Sequence, residues 1–161
     1  MIKIDKDGLL LCEIQAKAFE LSFDIMQSSS EIFIRRFMNS KIAQTMDNGD
    51  FLQSNLLEKD ILDRINEEYG VSTYGSVKYS KNELYWIGYI YRYYAYTYNI
   101  TSRQAYKKIK PKKLREVFLP YHTMSPEQAI ERILEADNLI LSEEEELQRQ
   151  YRIFSKIRHE K

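Results

Sequence analysis

The chain has 161 residues, 43% of them hydrophobic and 30% charged, which fits one globular domain or two small lobes and excludes a disordered chain. Its formal net charge is zero, and its single cysteine, Cys12, excludes a disulfide framework or a CxxC motif, so a reducing cytoplasm is the expected location. No apolar run reaches transmembrane length, and Lys3, Asp5, Lys6 and Asp7 make the N-terminus unlike a signal peptide, so no membrane role is expected.

Only five glycines and three prolines occur, and Leu, Ile, Glu and Lys are abundant, which predicts an all-α chain. After a short lead-in, Leu10, Leu11, Ile14, Ala18, Leu21 and Ile25 recur at helical spacing and predict a first helix from Gly8 to about Gln27. Ser28, Ser29 and Ser30 interrupt it and offer an N-cap. A second helix is expected from Glu31 to Met46, with Phe33, Ile34, Phe37, Met38, Ile42 and Met46 inward and Arg35 and Arg36 near its middle. Asp47, Asn48, Gly49 and Asp50 spell a turn. Their spacing resembles a calcium loop, but the further ligand positions and the terminal glutamate are missing.

A third helix is expected from Leu56 to Tyr69, with Leu57, Ile61, Leu62 and Ile65 inward and Gly70 closing it. Val71 to Tyr79 has the least helical composition. It reads as an ordered connector or a short hairpin, and as the boundary between an N-terminal three-helix lobe (1–70) and a C-terminal lobe (71–161).

The stretch Leu84–Tyr98 contains seven tyrosines in fifteen residues, the only tryptophan, Trp86, and one charge, Arg92. Aromatic alternation suits a strand. Ser80 followed three residues later by Glu83 is instead a capping box, and the length favours a helix over Lys81–Tyr98. One face holds Leu84, Ile87, Gly88, Tyr91, Tyr94, Ala95 and Tyr98; the other holds Tyr85, Trp86, Tyr89, Tyr93 and Tyr96. A helix apolar all round is a central core helix. The competing expectation is that one aromatic face docks a partner, since tyrosine has an apolar body and a polar tip.

Thr101 and Gln104 form a second capping box. A short helix with Ala105, Tyr106 and Ile109 then leads to Pro111, which begins another holding Leu114, Val117 and Phe118 inward, and Pro120 is expected to stop it. Ser125, Pro126 and Gln128 supply an N-cap, an N1 proline and an N3 glutamine for a helix to about Ala136. Ser142 and Glu145 predict a separate last helix, its Glu143–Glu146 and its Lys156, Arg158 and His159 suited to the helix dipole. The expected fold is thus an all-α compact bundle of about seven to eight helices around a central aromatic helix.

The charge is unevenly spread. Residues 1–70 carry eight Lys/Arg and thirteen Asp/Glu, residues 71–124 carry ten and two, and residues 125–161 carry six and nine. Either the basic middle meets an anionic partner, or the acidic ends pack against it and neutralise it. The cations concentrate at Arg103, Lys107, Lys108, Lys110, Lys112, Lys113 and Arg115. Such a run reads as exposed helix positions, as a phosphate-neutralising surface, or as a contact for an acidic protein. The helices around Pro111 lack the small turn of a helix-turn-helix.

Chemistry-bearing patterns are thin. There is no GxGxxG, no P-loop lysine and no metal-ligand cluster, so no cofactor or metal is expected. His159 is expected at a solvated end. His122 could act as a general base, but no carboxylate or nucleophile stands at a diagnostic spacing. A loop histidine bonded to backbone groups is the simpler expectation, and the chain is expected to be non-enzymatic. Cys12, in an apolar context, is expected in the core.

The order of an aromatic-rich helix, then Ser102-Arg103-Gln104-Ala105-Tyr106, then Tyr121-His122-Thr123-Met124-Ser125-Pro126-Glu127-Gln128-Ala129-Ile130, resembles a class of small helical bacterial proteins encoded beside a toxin gene. The likeness covers about residues 80–133. It implies a non-catalytic antitoxin that neutralises its toxin by occlusion, the toxin in some members resembling an ADP-ribosyltransferase. Residues expected on a partner surface are Tyr85, Tyr89, Arg92, Arg103, Tyr106, Lys107, Lys108, Tyr121 and His122, because Tyr, Trp and Arg dominate interface hot spots. The alternative is a nucleic-acid-binding regulator using residues 103–115.

Overall fold

The computed structural model describes residues 1–159, with the side chains of 139–144, 154 and 157–159 left aside. Among the described residues there are eight α-helices, one 3-10 turn and no strand: α1 (Lys6–Ile25), α2 (Ser30–Met38), α3 (Lys41–Asp47), the 3-10 turn (Asp50–Gln53), α4 (Glu58–Tyr69), α5 (Lys81–Thr97), α6 (Ser102–Lys108), α7 (Pro111–Tyr121) and α8 (Pro126–His159). The all-α expectation holds. Two compact units are present. The first is Met1–Thr123, which contains α1 to α7, and the second begins at Met124 and consists of α8. The expected lobe boundary near residue 70 falls inside the first unit. None of the described helices is long and apolar enough to cross a membrane.

In the first unit α5 is central, packed on α1, α6 and α7. The helices α1 and α5 run antiparallel and approach closely at two glycines. A Cβ on Gly8 would stand 2.7 Å from Tyr96, and one on Gly88 would stand 2.8 Å from Phe19 and 3.0 Å from the Gln15 carbonyl. Leu84, Ile87, Tyr91, Tyr94 and Ala95 are buried, whereas Tyr85, Trp86, Tyr89, Tyr93 and Tyr96 are half-buried. The helical reading of this stretch is therefore correct, and so is its division into two faces except at Tyr98, which was expected on the buried face but is the half-buried C-cap of α5. The expected capping box is present, with Glu83 N donating to Ser80 Oγ at 3.2 Å and Ser80 N to Glu83 Oε1 at 2.9 Å. The helix ends where Asn99 adopts a left-handed φ of 52°, with Ile100 N donating to Ala95 O at 3.0 Å, a Schellman closure that allows α6 to start at once.

Several boundaries differ from the sequence expectation. The helix expected over 31–46 is two helices, because Ser40 Oγ accepts from Ala43 N at 3.1 Å and donates to Phe37 O at 2.6 Å, starting α3 afresh. All six residues expected inward there are buried nonetheless. Leu10 is 47% exposed and Leu57 is 67% exposed, so neither is core. Leu57 is displaced to the cap position, where its N–H donates to Asp60 Oδ2 at 2.8 Å. On α1 the buried stripe runs instead through Leu11, Cys12, Gln15, Ala16, Phe19 and Ser22. Phe19 then meets Phe33 and Phe37 edge-on at 5.3 and 5.0 Å between centroids.

Residues 71–79 form no hairpin; they lie as an extended strap over the start of α2. Ser29 N donates to Tyr74 O at 3.0 Å, Ser30 N to Val77 O at 3.1 Å, and Tyr79 N to Ser30 Oγ at 2.9 Å. The Ser29 and Ser30 main-chain donors at the N-terminus of α2 are satisfied in this way. Lys78 Nζ donates to Phe23 O at 2.8 Å and to Met26 O, so a cation closes the C-terminal end of α1.

Pro120 does not stop α7. It lies in the last turn, where it forfeits only one hydrogen bond, and His122 N still reaches Phe118 O at 2.8 Å. In the second unit Ser125 Oγ caps α8 by accepting from Gln128 N at 3.2 Å, with Pro126 in the first turn as expected. The break expected near 137–142 is absent, because α8 runs unbroken through that point. The expected roles of the Ser142, Glu143, Glu144, Arg158 and His159 side chains lie outside the described residues.

Candidate functional site

Arg92 is the first residue to place, because the structure removes it from the candidate surface. It is 1% exposed. Its Nε donates to Gln15 Oε1 at 2.8 Å, Nη1 to Asp47 Oδ1 at 2.6 Å and Nη2 to Ser102 Oγ at 2.7 Å. Ser102 in turn donates its N–H to Asp47 Oδ2 at 2.9 Å and its hydroxyl to Asp47 Oδ1 at 2.7 Å, while Gln15 Nε2 donates to Gly88 O at 2.9 Å. The cause is register. Position 92 follows Gly88 by one turn and lies on the buried face, where an arginine survives only with a counter-charge and filled donors. Among the described residues no buried side-chain nitrogen or oxygen lacks a partner. Asp47 was expected only as a turn residue. Its role as counter-ion had no local signal, since its partner is 45 residues away.

Cys12 is wholly buried beside this network, and burial pushes its thiol up to about 12, against the opposing field of Arg92. A thiol held protonated is a packing residue, as expected, and a poor nucleophile.

The basic run stands outside the core. Arg103, Lys107, Lys108, Lys110, Lys112 and Arg115 are exposed. Among the described residues only Arg115 of this run is in a salt bridge, with Glu83 at 3.1 Å. Burial works to raise the Glu83 pKa, but hydrogen bonds from Ser80 and Arg115 leave it lowered overall. The expectation that the acidic ends neutralise the middle is met for Lys81, paired with Asp24 at 3.0 Å, and for Arg92 with Asp47, but not for residues 103–113 among the described partners.

These cations are joined by residues that nothing in the local sequence groups with them. The helix α6 packs on α2 and α3. Arg103 Nε donates to Asn39 Oδ1 at 3.2 Å, and its charge, with that of Arg36, acts on Tyr69. Arg36 covers the Tyr69 ring at 5.3 Å and donates to Gly70 O at 2.7 Å. Lys110 Nζ sits 4.4 Å from the Tyr106 ring centroid. Burial raises the Tyr106 phenol, Arg35 opposes that shift, and Glu31 adds to it. The result is a face of Arg35, Arg36, Tyr69, Arg103, Tyr106 and Lys110, with Lys107 and Lys108 on the exposed side of α6.

The remaining candidates lie elsewhere. Tyr89 stacks on Tyr93 at 6.4 Å between centroids, and burial pushes its phenol up to about 12, with Glu13 of α1 and Tyr85 adding to the shift. Tyr89 thus borders α1, with Tyr85 one turn before it on α5, whereas Tyr106 borders α2. Tyr121 is half-buried. His122 stacks on Phe118 at 4.5 Å, and Phe118 meets Trp86 edge-on at 5.8 Å. His122 Nδ1 lies 2.8 Å from Phe118 O and 3.0 Å from Leu119 O. Carbonyls only accept, so Nδ1 carries the proton and the ring closes the end of α7, as the simpler expectation had it. Among the described residues no three His, Cys, Asp or Glu side chains converge as a metal site.

No protein-family model, curated protein or solved structure matches this chain.

Proposed function

We propose that this protein is a binding module that neutralises a protein toxin by covering it, and that it docks through the face where α6 meets α2. The observation that carries the reading is the pairing pattern. The core arginine is fully neutralised, while Arg35, Lys107 and Lys108 stay exposed without a salt bridge among the described residues, around a half-buried Tyr106. Aromatic rings with fixed positions beside unspent cations suit an acidic protein surface, the charges steering encounter and the rings holding the complex. The resemblance over residues 80–133 gives this partner its character as a toxin. Glu31 and Glu68, which act on Tyr106 and Tyr69 within the same face, make it less suited to a phosphate backbone.

Co-expression with the product of the neighbouring gene tests the proposal. The expected result is a complex that survives affinity capture through either chain and restores growth. A neighbouring product that neither associates with this chain nor impairs growth would overturn it.

A further inference from the structure

Along α8 the order of charge does not follow from the ends of the helix. Four glutamates, Glu143–Glu146, come first, and Arg149, Arg152, Lys156 and Arg158 follow. A helix beginning at Ser142 would make that order a match to the helix dipole. Since α8 begins at Pro126, these glutamates sit far inside it, where end effects have faded. Arg149 Nη2 meets Glu146 Oε1 at 2.8 Å, while Arg152 and Lys156 are exposed and in no salt bridge among the described residues. The same segment leaves Leu147 66% and Tyr151 74% exposed, four residues apart and so on one stripe.

We propose that residues 143–158 pair antiparallel with the same segment of a second copy of the chain. A parallel pair would set glutamates against glutamates. An antiparallel pair centred on Tyr151 sets Glu146 of each copy against Lys156 of the other. It also covers Leu147 and brings the two Tyr151 rings together at the two-fold axis. Charges flanking an apolar seam are what select orientation in paired helices, and a self-complementary patch is what a two-fold dimer requires. The contact is short, on the order of two heptads, so the dimer is expected to be weak, with a dissociation constant of about 10–100 μM. This inference is independent of the partner reading above.

Sedimentation equilibrium on the full chain tests it. The wild-type protein is expected to pass from monomer to dimer across that range. Glu145→Lys with Glu146→Lys, and separately Arg152→Glu with Lys156→Glu, should each weaken self-association about tenfold or more, and mixing the two variants should restore a dimer. Circular dichroism on each variant checks that helix content is retained. Orientation is read by oxidising a mixture of Glu146→Cys and Lys156→Cys chains, which should give the mixed dimer in preference to either homodimer. A wild-type chain that stays monomeric throughout the range, a dimer unaffected by Leu147→Asp with Tyr151→Asp, or a preference for homodimers would each overturn the proposal.

Discussion

Arg92 and Asp47 stand 2.6 Å apart although 45 residues separate them in the chain, and the pair joins the end of α3 to the middle of the central helix. Gln15 on α1 and Ser102 on α6 complete it, so one guanidinium ties four helices together. Breaking one side of such a pair strands a charge in the core. Asp47→Ala is expected to lower unfolding free energy by about 3–5 kcal/mol, and Asp47→Asn by less, because the amide still accepts from Arg92. Urea denaturation measures both. A loss of under about 1 kcal/mol for Asp47→Ala would mean that water reaches Arg92 freely.

Gly88 is a packing requirement. Its substitution by alanine drives a methyl group into the Phe19 ring and the Gln15 carbonyl, where α1 and α5 are closest. Overpacking of this kind costs about 1–3 kcal/mol. The same denaturation series should show Gly88→Ala destabilised by that amount, whereas an exposed substitution such as Lys112→Ala should change stability by about 0.5 kcal/mol or less.

Alkaline pH should weaken the fold. Burial raises the pKa of Tyr79, Tyr89 and Tyr91, and the hydrogen bond from Tyr96 to Asp5 pushes the Tyr96 phenol up to about 12. A group whose folded value lies above its unfolded value favours folding while protonated. Its contribution is complete below the ordinary tyrosine value of 10.0 and is lost as pH rises from there towards 12. Stability should therefore fall above about pH 10, and tyrosinate absorbance should split into an early class and a late class that appears only with unfolding. Tyr96→Phe should reduce the fall. All tyrosines ionising in one early step with the fold intact would contradict the account.

Nucleic acid should bind poorly. If the basic run served phosphates, a duplex or single strand would associate at low salt and dissociate steeply as salt rises. The expected outcome in fluorescence anisotropy is no association at low salt. A steep salt-dependent association would favour the regulator reading instead.

Most of the helical framework was legible because it is written locally. The Ser80–Glu83 and Thr101–Gln104 boxes, the glycine at 70 and the apolar stripe of α2 and α3 each lie within a few residues of the feature they specify. What the local sequence does not carry are the long-range contacts. Nothing near Asp47 points to Arg92, and nothing near Arg35 or Tyr69 points to Arg103, since these meet only once α6 has packed on α2 and α3. Arg92 misled for a related reason. As a lone charge in an aromatic run it resembles a hot-spot residue, yet one turn from Gly88 it lies on the buried face. Ser142 misled in the other direction, because a capping pattern inside a long helix is overridden by the hydrogen bonds on either side of it.

The central claim is that the α2–α6 face carries the partner, and isothermal titration against the neighbouring gene's product tests it most directly. Tyr106→Ala should weaken binding by about 2 kcal/mol or more, as for a central aromatic anchor, while Lys112→Ala at the rim should cost well under that. Lys107→Glu with Lys108→Glu should slow association and flatten its dependence on salt. If the wild-type pair binds and Tyr106→Ala, Arg35→Ala and the paired lysine reversals all bind as tightly as the parent, the α2–α6 face is not the docking surface.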